Sequence, residues 1–308
     1  DAHSLQYSFF RFPSTVTDRQ GIEWTDPDSN SFWSKLGGRM LRSWSSEPSV
    51  YDLSLPEGSY FVVTRARDAL GGTGVTFANG PVVTKPQTSI SQDDVEATLS
   101  ATLASNDADQ VLQSVDTLSS AEVVADGSAE AGKGPKLRSL LAALETAVEI
   151  MELKTESVQT LSQVTSKALV SGGEAVGAAE LEKASGLVES VLDATLMDSS
   201  DDGGLDKAAA TSILGAVNTI SATLDNTIAA ERNASISLER DAEKVAEAEE
   251  RIANVTKQLI SLPQKVGKSA AKRMQVGEVQ ELTSLEGDGT GTKIALKKHA
   301  LSDVLLNG

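Results

Sequence analysis

All twelve aromatic residues of this chain lie within its first 77 positions, and the 231 residues that follow contain none. A core without rings must be assembled from Leu, Val, Ile, Ala and Met. Amphipathic helices do this most readily, because apolar residues every three or four positions form one continuous stripe. The chain therefore reads as an aromatic, β-forming front followed by a long helical remainder. Its 308 residues exceed the usual single-domain size, so two or three units are expected.

Charge divides at nearly the same place. Residues 1–90 carry eight Lys/Arg against nine Asp/Glu, and the remainder nineteen against thirty-five, which places −16 of the total −17 in the helical part. Such a surface repels nucleic acid and anionic lipid, and it keeps the helices in solution. There is no cysteine, hence no disulfide framework and no thiolate metal site. No apolar run approaches the ~20 residues that span a bilayer, so no direct membrane insertion by this segment is expected. The opening DAHSLQYSFF lacks a basic stretch followed by an apolar one and is no signal peptide; a start at Asp1 reads as a mature or excised piece.

Residues 1–88 read as β structure. Leu5–Phe12 is an aromatic-rich strand, with turns at Asp26-Pro27-Asp28 and Gly37-Gly38. Val50–Leu55 runs into Pro56-Glu57-Gly58, where Pro presets φ and Gly tolerates a positive one. Tyr60–Ala66 supplies the next strand, Ala69–Gly74 turns again, and Val75–Phe77 with Val82–Thr84 forms an edge before Lys85-Pro86. Leu53 to Phe77 has the pattern of the closing hairpin of a β-sandwich.

Residues 89–262 read as helices. Ser91 is placed to cap the first turn of a helix carrying Val95, Leu99 and Leu103, with Asp93 and Asp94 at its positive end. A short helix carries Val111, Leu112, Val115 and Leu118. Asp126–Gly134 reads as a loop, and Pro135 opens a strongly amphipathic helix through Leu137, Leu140, Leu141, Leu144, Val148 and Met151. Ser157–Val170, Ala178–Met197 and Leu205–Leu224 follow as helices. Glu231–Leu262 reads as one long charged helix with Ile236, Val245, Ile252, Val255 and Leu259 inward, closed by Pro263. Short connections imply antiparallel neighbours. Residues 263–308 read as a linker and one alternating strand, Thr292–Lys297; a lone strand buries no face, so it is expected to open a truncated β unit.

The order of these segments resembles the receptor-for-egg-jelly (REJ) region of the polycystin family running into a GAIN domain. Leu55-Pro56-Glu57-Gly58-Ser59-Tyr60 and Arg65-Ala66-Arg67-Asp68-Ala69-Leu70-Gly71 look like the hairpin of its immunoglobulin-like sandwich. The helical Asp93–Leu118 is similar to the segment that follows there. Gln258–Pro263, Gly277-Glu278 and Ile294–Leu296 look like the passage from GAIN helical subdomain A into its β subdomain. The resemblance implies three parts: an immunoglobulin- or fibronectin-like β-sandwich over 1–88, a central antiparallel helical bundle like GAIN subdomain A over 89–262, and the start of a C-terminal β unit over 263–308. The Cys and Trp near that family's proteolysis site and its His-Leu-Thr/Ser cleavage step are absent, so no residue here is assigned to autoproteolysis.

No residue pattern points to catalysis, a cofactor or a metal. His3 and His299 are the only histidines, each near an end of the chain, and without cysteine a Ser nucleophile would need one of them or a Lys as base. Gly267-Lys268-Ser269 fails as a phosphate loop because Leu262 stands where the earlier glycine belongs, and Gly132-Lys133-Gly134 fails because Gly follows the Lys. Two acidic loops, Asp26/Asp28/Asn30 and Asp198/Asp201/Asp202/Asp206, offer the oxygen ligands Ca²⁺ takes, yet neither has EF-hand spacing, and helix-capping loops are the favoured reading. Asn233-Ala234-Ser235 and Asn254-Val255-Thr256 are acceptor sequons for N-glycosylation. The basic cluster Lys265, Lys268, Lys272 and Arg273 is either a solvated segment or a partner-facing patch.

The resemblance implies a non-enzymatic extracellular module of a cell-surface, often ciliary, receptor. Adhesion or mechanical sensing would be its task, with a polycystin channel subunit or neighbouring surface glycoproteins as partners. The alternative is a structural subunit of a secreted or ciliary surface filament, which self-association would reveal.

Overall fold

The computed structural model describes residues 5–13, 39–46, 48, 55, 58–70, 72–78, 80–84, 90–123, 129–151, 155–198, 204–236, 242–275, 278–283 and 293–297. These form five strands, seven α-helices with one short 3₁₀ turn, and two final strands. The chain divides into two compact units, Asp1–Thr160 and Leu161–Gly308.

In the first unit the strands are β1 (Gln6–Pro13), β2 (Arg39–Ser45), β3 (Gly58–Arg67), β4 (Thr73–Phe77) and β5 (Val82–Thr84). They make one antiparallel sheet in the order β2-β1-β3-β4, with β5 on the same edge of β3 as β4. β1 and β3 pair over their full length, Gln6 opposite Arg67 through Pro13 opposite Tyr60. Alternation then gathers Phe10, Phe12, Met40 and Val63 on one face, with Phe61 and Val75 packed against them. Asp68 closes the β3–β4 turn: its Oδ1 accepts from the amides of Leu70 and Gly72 at 2.9 and 2.8 Å.

Three helices complete this unit: α1 (Gln92–Ala104), α2 (Ala108–Ser120) and α3 (Ala129–Ile150). Ser91 caps α1 as its sequence anticipates, its hydroxyl accepting from Asp94 N while Asp94 Oδ2 accepts from Ser91 N, both at 3.1 Å. α2 packs against α1, α3 and strand β2. It is buried on every side from Val111 to Ser119, polar residues included. Arg11 of β1 donates to the carboxylate of Asp116 in α2.

This arrangement corrects the expected fold class. Among the described residues there is no immunoglobulin- or fibronectin-like β-sandwich: the protein is mixed α/β, mostly helical, with small antiparallel sheets. A strand pattern identifies which face of a sheet is apolar but not what covers it. Here helix α2 meets the sheet through the Arg11–Asp116 pair and its contact with β2, on the face opposite to Phe10 and Phe12, and no second sheet packs on these strands among the described residues.

The second unit holds most of α4 (Thr155–Gly172), then α5 (Ala178–Met197), α6 (Lys207–Ile236), α7 (Ala242–Arg273), β6 (Val279–Thr283) and β7 (Lys293–Lys297). α6 runs antiparallel to its neighbours. Its start meets the late part of α7, where Leu205 N donates to Ser269 O at 3.3 Å. Further along, Thr227 Oγ1 donates to Val176 O just before α5 begins. α5 and α7 consequently run parallel to each other and antiparallel to the α6 that connects them, so these three helices go up, down and up. Residues 231–236 belong to α6, so the single helix expected over Glu231–Leu262 is shared between α6 and α7. α7 continues through Pro263 to Arg273, and α3 begins at Ala129, six residues before Pro135.

The last strand is not alone. β7 pairs with β6 from Val279 opposite Lys297 to Thr283 opposite Lys293. The ribbon packs on α6 and α7, Leu282 is fully buried, and Gly267 of α7 makes room for β7: a Cβ there would lie 3.2 Å from Leu296 Cδ2. The strand expected alone over Thr292–Lys297 thus has a partner in β6.

Candidate functional site

In the second unit a line of hydrogen bonds and ion pairs runs along the seam between α5 and α7. On α7 the residues concerned are Arg251, Asn254, Gln258, Lys265, Ser269 and Lys272, separated by three, four or seven positions, which places them on one helix face. Beside this line run buried apolar residues, among them Leu181, Val188 and Leu192 of α5 with Val255, Leu262 and Val266 of α7.

The seam is bonded from end to end. Arg251 reaches Glu182 on α5 through Nη1 and Glu247 on its own helix through Nη2, both at 2.8 Å. Asn254 Nδ2 donates to Glu182 Oε1 at 3.3 Å. Ser185 Oγ donates to Gln258 Oε1 at 2.5 Å, and Gln258 Nε2 donates to Glu189 Oε2 at 2.9 Å. Lys265 Nζ bridges Glu189 Oε1 at 2.7 Å and Asp193 Oδ1 at 2.6 Å. Ser269 Oγ, fully buried, donates to Thr195 Oγ1 at 2.9 Å. At the end, Lys272 Nζ donates to the carbonyls of Thr195, Leu196 and Asp198, capping α5, whose own last turn has no basic residue.

The electrostatics follow from these contacts. Partial burial pulls the Lys265 ammonium down, but hydrogen bonds to Asp193 and Glu189, together with their charges, outweigh it and hold its pKa above the ordinary lysine value. Lys265 is thus kept protonated, a clasp between carboxylates and not a base. Hydrogen bonds and charge from Glu247 and Glu182 likewise raise Arg251 against a desolvation that lowers it.

No family model, curated protein or solved structure matches this chain. Its residues alone therefore carry any functional reading.

Several groups singled out in the sequence meet in this seam and others do not. Lys265 and Lys272 are committed to α5, whereas Lys268 and Arg273 are exposed on α7. Gly267-Lys268-Ser269 lies inside α7, so its amides serve the helix and cannot cradle a phosphate. Asp206 caps α6, its Oδ1 accepting from Ala209 N at 2.8 Å, as the capping reading of that acidic loop anticipates. Asn254 stands exposed beside Glu182; Asn233 falls in the last turn of α6, and its side chain is outside the described residues. His3, His299, Asp26, Asp28, Asn30, Asp201 and Asp202 also lie outside them.

Among the described residues no group of three or more His, Cys, Asp or Glu stands together as a metal would require, and no helix is long and apolar enough to cross a membrane. Of the residues expected inward, Val255 is buried, Val245, Ile252 and Leu259 are half-buried, and Ile236 belongs to α6 with its side chain outside the described residues; the polar line beside them was missed. Its signal was present in the three-four spacing, yet the partners on α5 lie 69 to 77 positions away.

Proposed function

We propose that this chain is a non-enzymatic module of a cell-surface protein that holds and transmits mechanical or adhesive contacts. The α5–α7 seam carries the proposal. Two parallel helices are cross-bonded from Glu182 and Arg251 to Leu196 and Lys272. A force that slides parallel helices past one another loads all those bonds together, which suits a part that must keep its register. The resemblance to polycystin extracellular regions supplies the setting: an extracellular, ciliary location with a polycystin channel subunit or neighbouring glycoproteins as partners. In that setting Asn254, exposed on α7, is an accessible glycan acceptor. Because the sheet is not the sandwich of the resemblance, the mechanical part of the reading rests on the seam.

The test is surface labelling of the native protein in intact source cells, followed by co-purification and sizing of the released complex. Labelling and recovery with a membrane channel would support the reading. Complete protection from label would sink it, and assembly of the purified chain into polymers would favour the filament alternative.

A further inference from the structure

Strands β1 to β5 contain five arginines, Arg11, Arg39, Arg42, Arg65 and Arg67, and not one Asp or Glu, in a chain with a net charge of −17. Arg65 and Arg67 are two apart on β3 and so share a face. Trp44 of β2 reaches both, with the guanidinium carbons 4.8 and 4.4 Å from its ring centroid. β1 lies between those strands, and opposite Arg65 it carries Ser8, small and buried, which leaves room for the ring to cross. Arg65 also lies over Phe10 at 5.4 Å.

Arg67 is the outer member of this stack. Its Nε donates to Gln6 Oε1 at 2.8 Å, which together with Trp44 fixes the guanidinium plane. Three other covered cations of this protein face carboxylates: Arg11 has Asp116, Arg251 has Glu182 and Glu247, and Lys265 has Glu189 and Asp193, while the buried Lys136 donates to backbone carbonyls. Among the described residues no carboxylate accepts from Arg67. A half-buried guanidinium has five donors, and holding it in place without a counter-ion costs solvation that a bound anion would restore.

We propose that Arg67, oriented by Gln6 and Trp44, is the anchor of a binding site for an isolated oxyanion, a carboxylate or sulfate on a small ligand. The planar fork matches two oxygens of such a group, and its orientation is set before the ligand arrives. The acid-rich remainder of the chain argues against a polyanion: −16 charges beyond residue 90 repel a densely charged strand but tolerate one compensated charge.

The full chain, labelled with ¹⁵N, is titrated at constant ionic strength with sodium sulfate, inorganic phosphate and a sugar acid such as N-acetylneuraminic acid, while the arginine Nε–H resonances are followed. The expected result is a saturable shift of the Arg67 signal with a Kd on the order of 1 mM, weakened about tenfold by Arg67→Lys and lost in Arg67→Gln. The rest of the spectrum should stay unchanged in both variants, and Gln6→Ala, which frees the fork without removing charge, should weaken binding too. Preference among the three probes identifies the group that carries the charge. A linear, unsaturable response equal to that of chloride would overturn the proposal, as would undiminished binding by Arg67→Gln. Tighter binding of a sulfated polysaccharide than of any single anion would overturn the restriction to an isolated charge.

Discussion

Arg11 and Asp116 form a buried ion pair across 105 positions of sequence, joining the central strand β1 to helix α2. Both side chains are more than nine-tenths covered, and the Arg11 guanidinium also lies 4.7 Å from the centre of the Tyr60 ring. Removing one member leaves the other charged and enclosed. Asp116→Asn is therefore expected to destabilise the first unit by about 3–5 kcal/mol, whereas the double replacement Arg11→Met/Asp116→Leu costs far less, because no buried charge is orphaned. Denaturant melts of the two variants decide this; equal losses would show that the pair acts only through packing.

Two glycines of the helical unit should respond to alanine with opposite signs. Gly186 sits in the middle of α5 with nothing within 4 Å of a Cβ placed there, so Gly186→Ala restricts the unfolded chain and stabilises by about 0.5–1 kcal/mol. Gly204 has φ +98°, and an added Cβ would lie 2.5 Å from Ser269 O and 2.9 Å from Lys272 Cβ. Gly204→Ala must strain that turn and push α7 away, at a cost of about 1–3 kcal/mol. Thermal melts that moved both variants in one direction would contradict the packing described.

Each unit uses a lysine from a neighbouring helix to cap a helix lacking its own basic residue. Lys136 of α3 donates to Ser119 O and Ala121 O at the end of α2, and Lys272 of α7 does the same for α5. Lys136 is buried, so Lys136→Met leaves enclosed carbonyls and should cost about 1–3 kcal/mol. Lys272 is exposed and water replaces it, so Lys272→Met should cost about 0.3–1 kcal/mol, declining with salt. Amide exchange in the last turns of α2 and α5 measures both, and a larger effect at Lys272 would refute the ranking.

How much of this was legible follows from where each partner lies. The helices could be read because their apolar spacing is local: Leu137, Leu140, Leu141 and Leu144 of α3 are all fully buried, and Ala178–Met197 is a helix with the bounds its pattern indicates. α2 shows the opposite case. Gln113, Ser114, Asp116, Thr117 and Ser119 are polar and lie outside the apolar set Val111, Leu112, Val115 and Leu118, yet all are buried. Nothing local reveals an arginine more than a hundred residues earlier, and without it the sheet looks like half of a sandwich. The passage of α7 through Pro263 is likewise tertiary: Leu262, Val266 and Ala270 remain buried on one line, and that packing outweighs the missing amide hydrogen bond. The arginine site was half visible, since the absence of carboxylates from five strands is a property of the sequence, but the stack depends on register.

The two ends of the pH scale should loosen different parts of the protein. Hydrogen bonds from the Ser91 hydroxyl and amide hold the Asp94 carboxyl below its ordinary 3.8, so its contribution to the start of α1 is fully present above that value and fades as pH falls through the lowered one. For Lys265 the sign reverses. Desolvation lowers its pKa, but Asp193 and Glu189 more than offset this and place it above 10.5, so the clasp is intact below pH 10.5 and is lost as pH rises through the raised value. Amide exchange across both regions should therefore show α1 fraying first in acid and the α5–α7 seam opening first in alkali. Asp94→Asn should abolish the first dependence and Lys265→Met the second. Seam opening in alkali that persists in Lys265→Met would mean that another group, and not this clasp, holds the parallel helices together.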